Sequence, residues 1–571
     1  MDRHSSLKIK RLFAAALAVL MLAVCCACGK VDPVSGGAEP PSYTEDMTYA
    51  QTLFDSSRVH EIDISISEED WADLTADPQA KTKYDTAVTI DGEKLEGVGF
   101  STKGNTSLAF VAQKRDSNRY SFKLNFGKYA DGQTYRGLNK LNLNNLYADA
   151  TYMKDYLSYE ISREAGVAAP LTSYVWLTIN GEALGLYIAI EDVSESYLDR
   201  TANGEGELYK PETEQLDNIG GGQSPDASGM PQTPDGSGMP QMPDASGMPQ
   251  PPEGGFPGGS FPGGSDFPGG DFPGGDFPGG TMPGNMPGGF GGSGSGASLV
   301  YTDDELSSYS DIFDNDVTDA DEESNRRVVE ALKGLASGEN VSDYIDAEEV
   351  ASYFAAHNFV LNYDSYTGSM LHNYYLYENG GKLSMLPWDY NLAFGSFMGA
   401  SDTTALINTG IDTPLSGASE EQRPMWAAIA DDGEALSLYH EAYDRLLKNY
   451  FESGRFKESI EKIHDLIAPY IAKDPSAFYT AEEFEKAYET LKSFCLKRAE
   501  SIRKQLDGAL SASTDEQDEA ARVDASDLDI SVMGSHGGGN PGGNGGNGFP
   551  GGNPGGPGGQ GFPGGNPGGR P

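Results

Sequence analysis

Residues 362–395 read NYDSYTGSMLHNYYLYENGGKLSMLPWDYNLAFG, and no other stretch of the chain is as informative. It places Asp364, Asn373 and Asp389 among aromatic and apolar residues. A carboxylate is costly to remove from water unless a metal ion or a proton donor accompanies it. An acid, an amide and a second acid in this order therefore indicate phosphoryl-transfer chemistry.

The composition around this stretch is strongly acidic. The 571 residues include 86 Asp and Glu against 40 Lys and Arg, for a formal net charge of -46. Such a chain offers no basic surface for phosphate backbones, which argues against nucleic acid as a partner. The acidic exterior suits an extracellular protein, and the chain is long enough for one main body with appendages.

The N-terminus predicts export. Four basic residues precede an apolar run over residues 12–27, and this pattern is typical of a secretory signal rather than a membrane span. The run ends in VCCACGK, which resembles a bacterial lipobox and predicts lipid attachment at Cys28, with Cys25 and Cys26 as alternatives. We expect a signal peptide over 1–28, a linker over 29–57, and a lipoprotein on the outer face of the bacterial membrane, or a protein secreted without lipid.

Cys495 is the one cysteine outside the signal region, so the predicted mature chain has no internal disulfide. It lies in AEEFEKAYETLKSFCLKRAESIRKQL, whose apolar residues recur at helical spacing. We interpret Cys495 as a helix core residue rather than a reactive thiol.

Two low-complexity tracts divide the chain. Residues 219–298 cycle through Met-, Gly- and Pro-rich units, and residues 507–571 are acidic and then repeat GGNPGG. Neither has enough apolar content to offset backbone ordering, so both are predicted to be disordered.

The body, residues 58–506 with the first tract as an insertion, is predicted to have an α+β fold. VHEIDISIS alternates like a strand, Asp91-Gly92 and Asn180-Gly181 mark hairpin turns, and a helix is expected from about Thr151 to Ala165. Helical patterns dominate after the insertion. This order predicts two lobes, one rich in strands and one rich in helices, with a ligand cleft between them.

Several of these segments together resemble the spore-coat CotH kinase family. The motifs that carry the resemblance are STKGNTS, SFKLNFG, YMKDYLSYEISREAGV, NGEALGLYIAIEDV, LYK and, above all, NYDSYTG, HNYYLY and PWDYNLAFG. The resemblance implies an atypical protein kinase fold, ATP with Mg²⁺ or Mn²⁺ as cofactors, and phosphorylation of serine or threonine on secreted or surface proteins.

The resemblance also implies roles for the three polar residues of the opening stretch. Asp364 resembles the aspartate that orients the attacking hydroxyl, although an aspartate at this position also suits a turn cap. Asn373 and Asp389 resemble the metal-binding residues. Mg²⁺ prefers carboxylate and carbonyl oxygens together with retained water, which fits these side chains.

Other residues are candidates for binding ATP. The turn KGNTS at 103–107 offers Lys103, Asn105 and Ser107 to phosphate, Glu191 ends a strand near the expected cleft, and Trp388 is either an adenine platform or core.

Lys123 is the strongest candidate for neutralising the nonterminal phosphates, because it lies inside the strand SFKLNF between apolar neighbours. Its carboxylate partner is expected to be Glu160 or Glu164, and the sequence does not choose between them.

We therefore expect a surface-anchored kinase that transfers the terminal phosphate of ATP to surface or envelope proteins. Two alternatives stay open: a noncatalytic scaffold or adhesion protein on the same fold, and an enzyme that transfers AMP to protein.

Overall fold

The computed structural model describes residues 47–114, 117–212, 296–338, 340–397 and 402–535. These residues form ten strands and thirteen α-helices. The strands are β1 His60–Ser65, β2 Tyr84–Ile90, β3 Glu93–Lys103, β4 Ser121–Asn125, β5 Lys140–Asn144, β6 Thr172–Ile179, β7 Glu182–Glu191, β8 Glu207–Tyr209, β9 Tyr374–Asn379 and β10 Lys382–Pro387. The helices are α1 Tyr49–Thr52, α2 Glu68–Ala76, α3 Thr106–Gln113, α4 Lys154–Ala165, α5 Glu195–Ala202, α6 Ser310–Phe313, α7 Glu322–Ser337, α8 Ala347–Val360, α9 Thr403–Ile407, α10 Pro424–Ala430, α11 Gly433–Leu446, α12 Arg455–Ile471 and α13 Ala481–Leu506.

The first seven strands close into a barrel in the order β1-β2-β3-β4-β5-β7-β6. All neighbours are antiparallel except β1 and β6, whose parallel pairing, with Ile62 opposite Leu177, completes the ring. Side chains alternate along each strand, and the inward set forms one apolar core that includes Phe100, Phe122 and Leu143. The mixed α+β class is confirmed.

Two of the barrel hairpins confirm the predicted turns. Asp91 and Gly92 join β2 to β3, and Asn180 and Gly181 join β6 to β7, all with positive φ. Two central residues with positive φ match the right-handed twist of paired strands, and asparagine, aspartate and glycine tolerate this conformation best.

Helix α4 begins three residues later than predicted, at Lys154 rather than Thr151. The cause is a buried polar turn before it: Asp149 accepts hydrogen bonds from the backbone amides of Thr151 and Lys154 at 2.9 and 2.8 Å. The predicted end is confirmed, since Gly166 caps the helix with φ +106°.

The remaining helices surround a second apolar core. Helix α8 lies at its centre, and α13 contributes Phe494 and the fully buried Cys495, which confirms the core interpretation of this cysteine. A three-stranded sheet in the order β10-β9-β8 lies beside α8. Within the described ranges, no helix is long and apolar enough to cross a bilayer.

The packed body is longer than the predicted 58–506. Tyr49 and Leu53 are buried in the barrel core, and Ile530, Val532 and Met533 are buried against the helical core. The expectation of a disordered tail from residue 507 is therefore wrong as far as residue 535. The signal peptide, Cys28, residues 219–295 of the first tract and residues 536–571 of the second lie outside the described residues.

The chain leaves and re-enters the described body at one place. Before the tract, the backbone amide of Glu212 donates to the carbonyl oxygen of Asp311 at 3.0 Å. After it, Gly296 is packed against the same residue, where a Cβ built on the glycine would lie 3.3 Å from Cβ of Asp311.

Candidate active site

A cavity lies where the outer face of the barrel meets the start of α4 and the turn after β10. Its lining comes from four chain segments: the end of β3 with the first turn of α3, the start of β4, the chain from β5 to α4, and the turn that holds Asp389 and Asn391. Three of the sequence-predicted residues, Lys103, Ser107 and Asp389, line this cavity.

Strand alternation places polar side chains on the outer face of the barrel at this point. Phe122 and Leu124 of β4 point into the barrel, so Lys123 between them points outward, and Asn142 is its neighbour across the β4–β5 ladder. Lys103 ends β3 on the same face, opposite Ser121. Four barrel strands are thus apolar inside and carry the site outside.

Lys123 does not pair with Glu160 or Glu164. Its ammonium lies 2.7 Å from Asp192, the residue directly after β7, and Asn142 also donates to that carboxylate at 2.8 Å. The expected partners face away, since Ser459 donates to Glu160 and Arg455 pairs with Glu164. The prediction of a helix partner was wrong because β5 pairs with β4 on one side and with β7 on the other, which brings Asp192 near Lys123. No local pattern indicates this pairing.

Lys103 is the lysine that meets the site carboxylates. Its ammonium donates to Oδ1 of Asn144 at 2.8 Å and lies 5.3 Å from the centre of the Trp388 ring. Burial lowers the pKa of Lys103 below the usual lysine value, and the charges of Asp389 and Asp155 offset part of this effect. Trp388 is buried against Tyr375, and its ring packs behind Lys103.

The predicted phosphate turn is the start of a helix. Gly104 has φ +98°, and α3 begins two residues later, with Ser107 in its first turn. Gly104 and Ser107 line the cavity, and a Cβ on Gly104 would come within 3.1 Å of the Ser107 hydroxyl. Asn105 is instead turned toward solvent, where Lys81 donates to its side chain.

Glu191 does not line the cavity. Its carboxylate is fully buried and accepts hydrogen bonds from Arg200 and from the hydroxyl of Tyr49 at 2.6 Å. The amide of Leu171 also donates to it, at 3.0 Å. The expectation that Glu191 contacts a nucleotide is therefore replaced by a structural role, and the next residue, Asp192, faces the site.

The turn after β10 is held so that Asp389 enters the cavity. Asp389 has φ +54°, its backbone amide donates to the hydroxyl of Tyr159 at 3.1 Å, and the amide of Tyr390 donates to Asp155 at 2.8 Å. Two successive amides are thus bound to α4. The Oδ1 atom of Asp389 is buried and has no hydrogen-bond partner in the described part of the chain, which marks it as a ligand-binding atom.

Asp155 is a site residue that the sequence did not reveal. It lies in the first turn of α4, where an aspartate is unremarkable because it favours the helix dipole. In the structure it is buried beside Asp389, and burial followed by the charge of Asp389 raises the pKa of Asp155 to about 7. Two converging carboxylates of this kind favour a bound cation.

Replacing Asp155 with asparagine is expected to stabilise the protein in the absence of divalent cations. A carboxyl group whose folded pKa is raised loses native-state stability as pH rises from about 4 through about 7, so its full cost is present at pH 8. Asp155→Asn should then raise the free energy of unfolding at pH 8 by roughly 1–3 kcal/mol and have less effect at pH 5. Urea unfolding in EDTA at both pH values measures this; a variant less stable at pH 8 would contradict it.

Asp364 and Asn373 lie together, and neither is among the residues that line the cavity with Asp389. The metal-binding role of Asn373 stays a prediction. The side-chain amide of Asn373 donates to the carbonyl oxygen of Asp364 at 2.8 Å and to its carboxylate at 3.1 Å. Nε2 of His372 lies 3.1 Å from the same carboxylate. Burial alone would lower the pKa of His372, but the hydrogen bond and charge of Asp364 outweigh it and raise the pKa. His372 is therefore a hydrogen-bonding partner of Asp364.

His357 of α8 joins the two halves of the site. Its ring nitrogens lie 2.8 Å from the hydroxyl of Tyr390, which follows Asp389, and 2.8 Å from that of Thr367 in the Asp364 turn. Burial lowers the pKa of His357 to about 3. The imidazole is thus neutral in the native protein.

This neutrality predicts acid sensitivity. Between about pH 6.5 and pH 3 an unfolded histidine binds a proton that native His357 does not, so unfolding becomes easier as pH falls, by about 1.4 kcal/mol per pH unit. Urea unfolding between pH 7.5 and 5 should show a shallower pH slope for His357→Gln than for wild type. Tyr390→Phe removes the hydrogen bond but keeps the imidazole, and should keep the wild-type slope. Equal slopes in all three proteins would contradict the prediction.

Left-handed backbone conformations concentrate around these residues. Leu361, Leu371, Asn373, Asp389 and Phe394 all have φ between +51° and +60°. For leucine and phenylalanine this conformation costs about 1–2 kcal/mol each, and such costs are tolerated mainly where a defined side-chain arrangement is needed.

The oxygen atoms at the cavity fit a hard divalent cation. Among the described residues no cluster of three or more His, Cys, Asp or Glu is placed to hold a metal. Asp155 and Asp389 supply two carboxylates, one with an unpartnered buried oxygen, and Asn144 and Asn391 line the same wall. Two carboxylates with substrate phosphates and water are a common Mg²⁺ environment.

Comparison with known proteins identifies the family of the chain. Residues 100–502 match the family model described as CotH kinase protein. The match spans well over half of the chain and includes every residue discussed at the cavity. The protein belongs to the CotH kinase family.

One curated relative is inner spore coat protein H of Bacillus subtilis (strain 168). It is 20% identical to this chain over 396 residues, which cover 69% of this chain and 84% of the relative. The similarity therefore extends over most of both proteins at low identity.

Proposed function

We propose that this protein is a surface-anchored atypical protein kinase that transfers the terminal phosphate of ATP to serine or threonine hydroxyls of surface or envelope proteins. The observation that carries the proposal is the cavity itself, which brings Lys103, Asp155 and Asp389 together beside the N-terminus of α3. Cations, carboxylates and free backbone amides in one place suit a nucleoside triphosphate with its metal.

The kinase-like, two-lobed fold is part of the proposal. The barrel with α4 would be one lobe and the helical core the other. Support comes from the chain order in the second part: helix α8, the Asp364 turn, the β9–β10 hairpin and then Asp389. The resemblance to kinases implies this same order of helix, acceptor-orienting aspartate, hairpin and metal aspartate.

The phosphates would be held by two groups of atoms. The first turn of α3 presents backbone amides that the helix does not use, and Gly104 leaves the approach to them open. Lys103, fixed by Asn144 and Trp388, supplies a positive charge from the barrel. Lys123 adds a second charge farther along the same face, tethered by Asp192.

Asp155 and Asp389 are the residues that would hold Mg²⁺ or Mn²⁺. A divalent ion supplies neutralisation of the charge that develops on the phosphate oxygens. The side chains of Asn373 and His372 position Asp364 for the acceptor side of the reaction.

In the proposed step the acceptor hydroxyl oxygen forms a bond to the γ-phosphorus of ATP. The bond between that phosphorus and the bridging oxygen breaks, and ADP leaves with the electron pair. The hydroxyl proton passes to Asp364. The carboxylate of Asp364 is buried, and one of its oxygens accepts a hydrogen bond from the side-chain amide of Asn373.

The experiment incubates the mature chain with casein as a generic acceptor and Mg²⁺ or Mn²⁺, using ATP labelled in parallel at the γ- or the α-phosphate. Protein that is labelled by γ-labelled ATP but not by α-labelled ATP supports the kinase proposal. Protein that is labelled by α-labelled ATP shows AMP transfer instead. No label from either, with no ATP-induced rise in melting temperature, shows a scaffold.

Variants assign the activity to the site. Asp364→Asn should lower transfer by about 10²–10⁴-fold while ATP still raises the melting temperature. Asp465→Asn, an exposed aspartate on α12, is the matched control and should transfer label as wild type does. Full activity in Asp364→Asn would contradict the role given to this residue.

A further inference from the structure

The chain after α13 folds back over the helical core instead of leaving it. Residues 523–535, here called the C-terminal strap, begin at Val523, whose amide donates to Asn408 at 3.0 Å. The hydroxyl of Thr403 donates to the carbonyl oxygen of Leu528 at 2.8 Å, and Ile530, Val532 and Met533 are buried. The strap thus has its own anchors, away from the cavity.

The far end of the strap contacts the chain just before α4. The amide of Ala150 donates to the carbonyl oxygen of Met533 at 3.0 Å. The ammonium group of Lys154, which is fully buried, donates to the carbonyl oxygens of Gly534 and Ala148, both at 3.1 Å. One lysine therefore ties the strap to the helix start and to the loop before it.

Gly534 permits this contact and no larger residue would. Its φ is +87°, and a Cβ at this position would lie 2.8 Å from both the carbonyl oxygen of Ala148 and the hydroxyl of Tyr479. Tyr479 in turn donates to the carbonyl oxygen of Tyr147 at 2.9 Å. A side chain at residue 534 is excluded because the backbone of the loop before α4 and the Tyr479 hydroxyl both lie against the glycine.

The loop that the strap holds is a wall of the cavity. Asn145, Leu146, Tyr147 and Asp149 line it, and Asp155 follows Lys154 directly. The buried ammonium of Lys154 keeps its hydrogen bonds only when both carbonyl oxygens are in place, and losing one of them would leave a buried donor unsatisfied. Displacement of the strap would thus disturb the helix start that aims Asp155.

We propose that the C-terminal strap positions Asp155 and the cavity wall through Lys154, so that the cation site is complete only with the strap docked. This inference rests on the proposed function for its catalytic meaning. Lys154, Met533 and Gly534 are positioning residues in this scheme, since none of them meets the reacting atoms.

The test compares two truncations of the mature chain. One ends after Ser535 and keeps the strap; the other ends after Asp527 and removes the strap's contacts with the α4 loop. Amides of residues 146–157 should exchange with deuterium about 10-fold faster or more in the shorter chain, while β6 and β7 keep their protection. The Mg²⁺ concentration that half-saturates the melting-temperature rise in ATP should increase about 10-fold or more.

Gly534→Val tests the same contact in a chain of full length, in case the shorter truncation does not fold. It should reproduce the faster exchange of residues 146–157, and Gly508→Val, at an exposed turn where a Cβ meets nothing, is its control. Unchanged exchange and unchanged Mg²⁺ half-saturation in Gly534→Val would overturn the proposal. The hydrogen-exchange result does not depend on catalysis. If the wild-type chain shows no transfer activity, the proposed kinase function is refuted, but the exchange experiment still tests the proposed role of the strap.

Discussion

Replacing Asp389 with asparagine is expected to reduce phosphate transfer by about 10³-fold or more, which is the largest functional effect in the molecule. The side chain keeps its shape and loses the charge that would bind the divalent ion. The hydrogen bonds that hold this turn, from the Asp389 amide to Tyr159 and from the Tyr390 amide to Asp155, do not involve the Asp389 carboxylate and remain. The loss should therefore come without unfolding.

The measurement is single-turnover transfer from γ-labelled ATP over a range of Mg²⁺ concentrations. Asp389→Asn should show no Mg²⁺-induced rise in melting temperature in ATP, whereas Asp465→Asn should behave as wild type. Raising Mg²⁺ should not restore the rate. A variant that keeps a tenth or more of wild-type activity would show that Asp389 is not a metal ligand.

The largest expected effect on stability comes from Asp474→Asn. Asp474, just after α12, forms a bidentate contact at 2.9 Å with Arg119, just before β4, and neither side chain is exposed. Arg119 also donates to carbonyl oxygens of Asn145, Leu184 and Leu186. Gly185 makes room for the pair, because a Cβ there would fall on both side chains.

Removing one partner of a buried pair leaves an uncompensated charge, which costs about 3–5 kcal/mol. Urea unfolding should show this loss for Asp474→Asn. Glu164→Gln, which breaks the more exposed pair with Arg455, should cost about 1 kcal/mol or less. Replacing both partners by apolar residues, in Arg119→Met with Asp474→Leu, should recover much of the loss. Equal losses in Asp474→Asn and Glu164→Gln would contradict the ranking.

The sequence predicted well those features that depend on neighbouring residues. The Asn-Gly and Asp-Gly turns, the strand β1 and helix α13 around Cys495 all depend on short-range patterns. Such signals survive folding because the backbone preferences behind them are local.

What the sequence did not predict depends on contacts between distant segments. The partner of Lys123 follows from the pairing of β5 with β4 on one side and with β7 on the other, and β7 is distant from β4 and β5 in sequence. Asp155 has the local appearance of an ordinary first-turn aspartate, and only the approach of Asp389 changes its chemistry. Residues 523–535 have the composition of a tail, yet five apolar side chains among them are buried in the helical core.

The meeting of Glu212 and Gly296 at Asp311 has an evolutionary consequence. The described residues on either side of 213–295, Glu212 and Gly296, are both held beside Asp311, so the two points that this stretch joins lie close together. The entropy of joining two fixed points grows only with the logarithm of the number of residues between them. Repeat units can therefore be duplicated or lost there over generations while the site, a short distance along the chain on either side, is inherited unchanged.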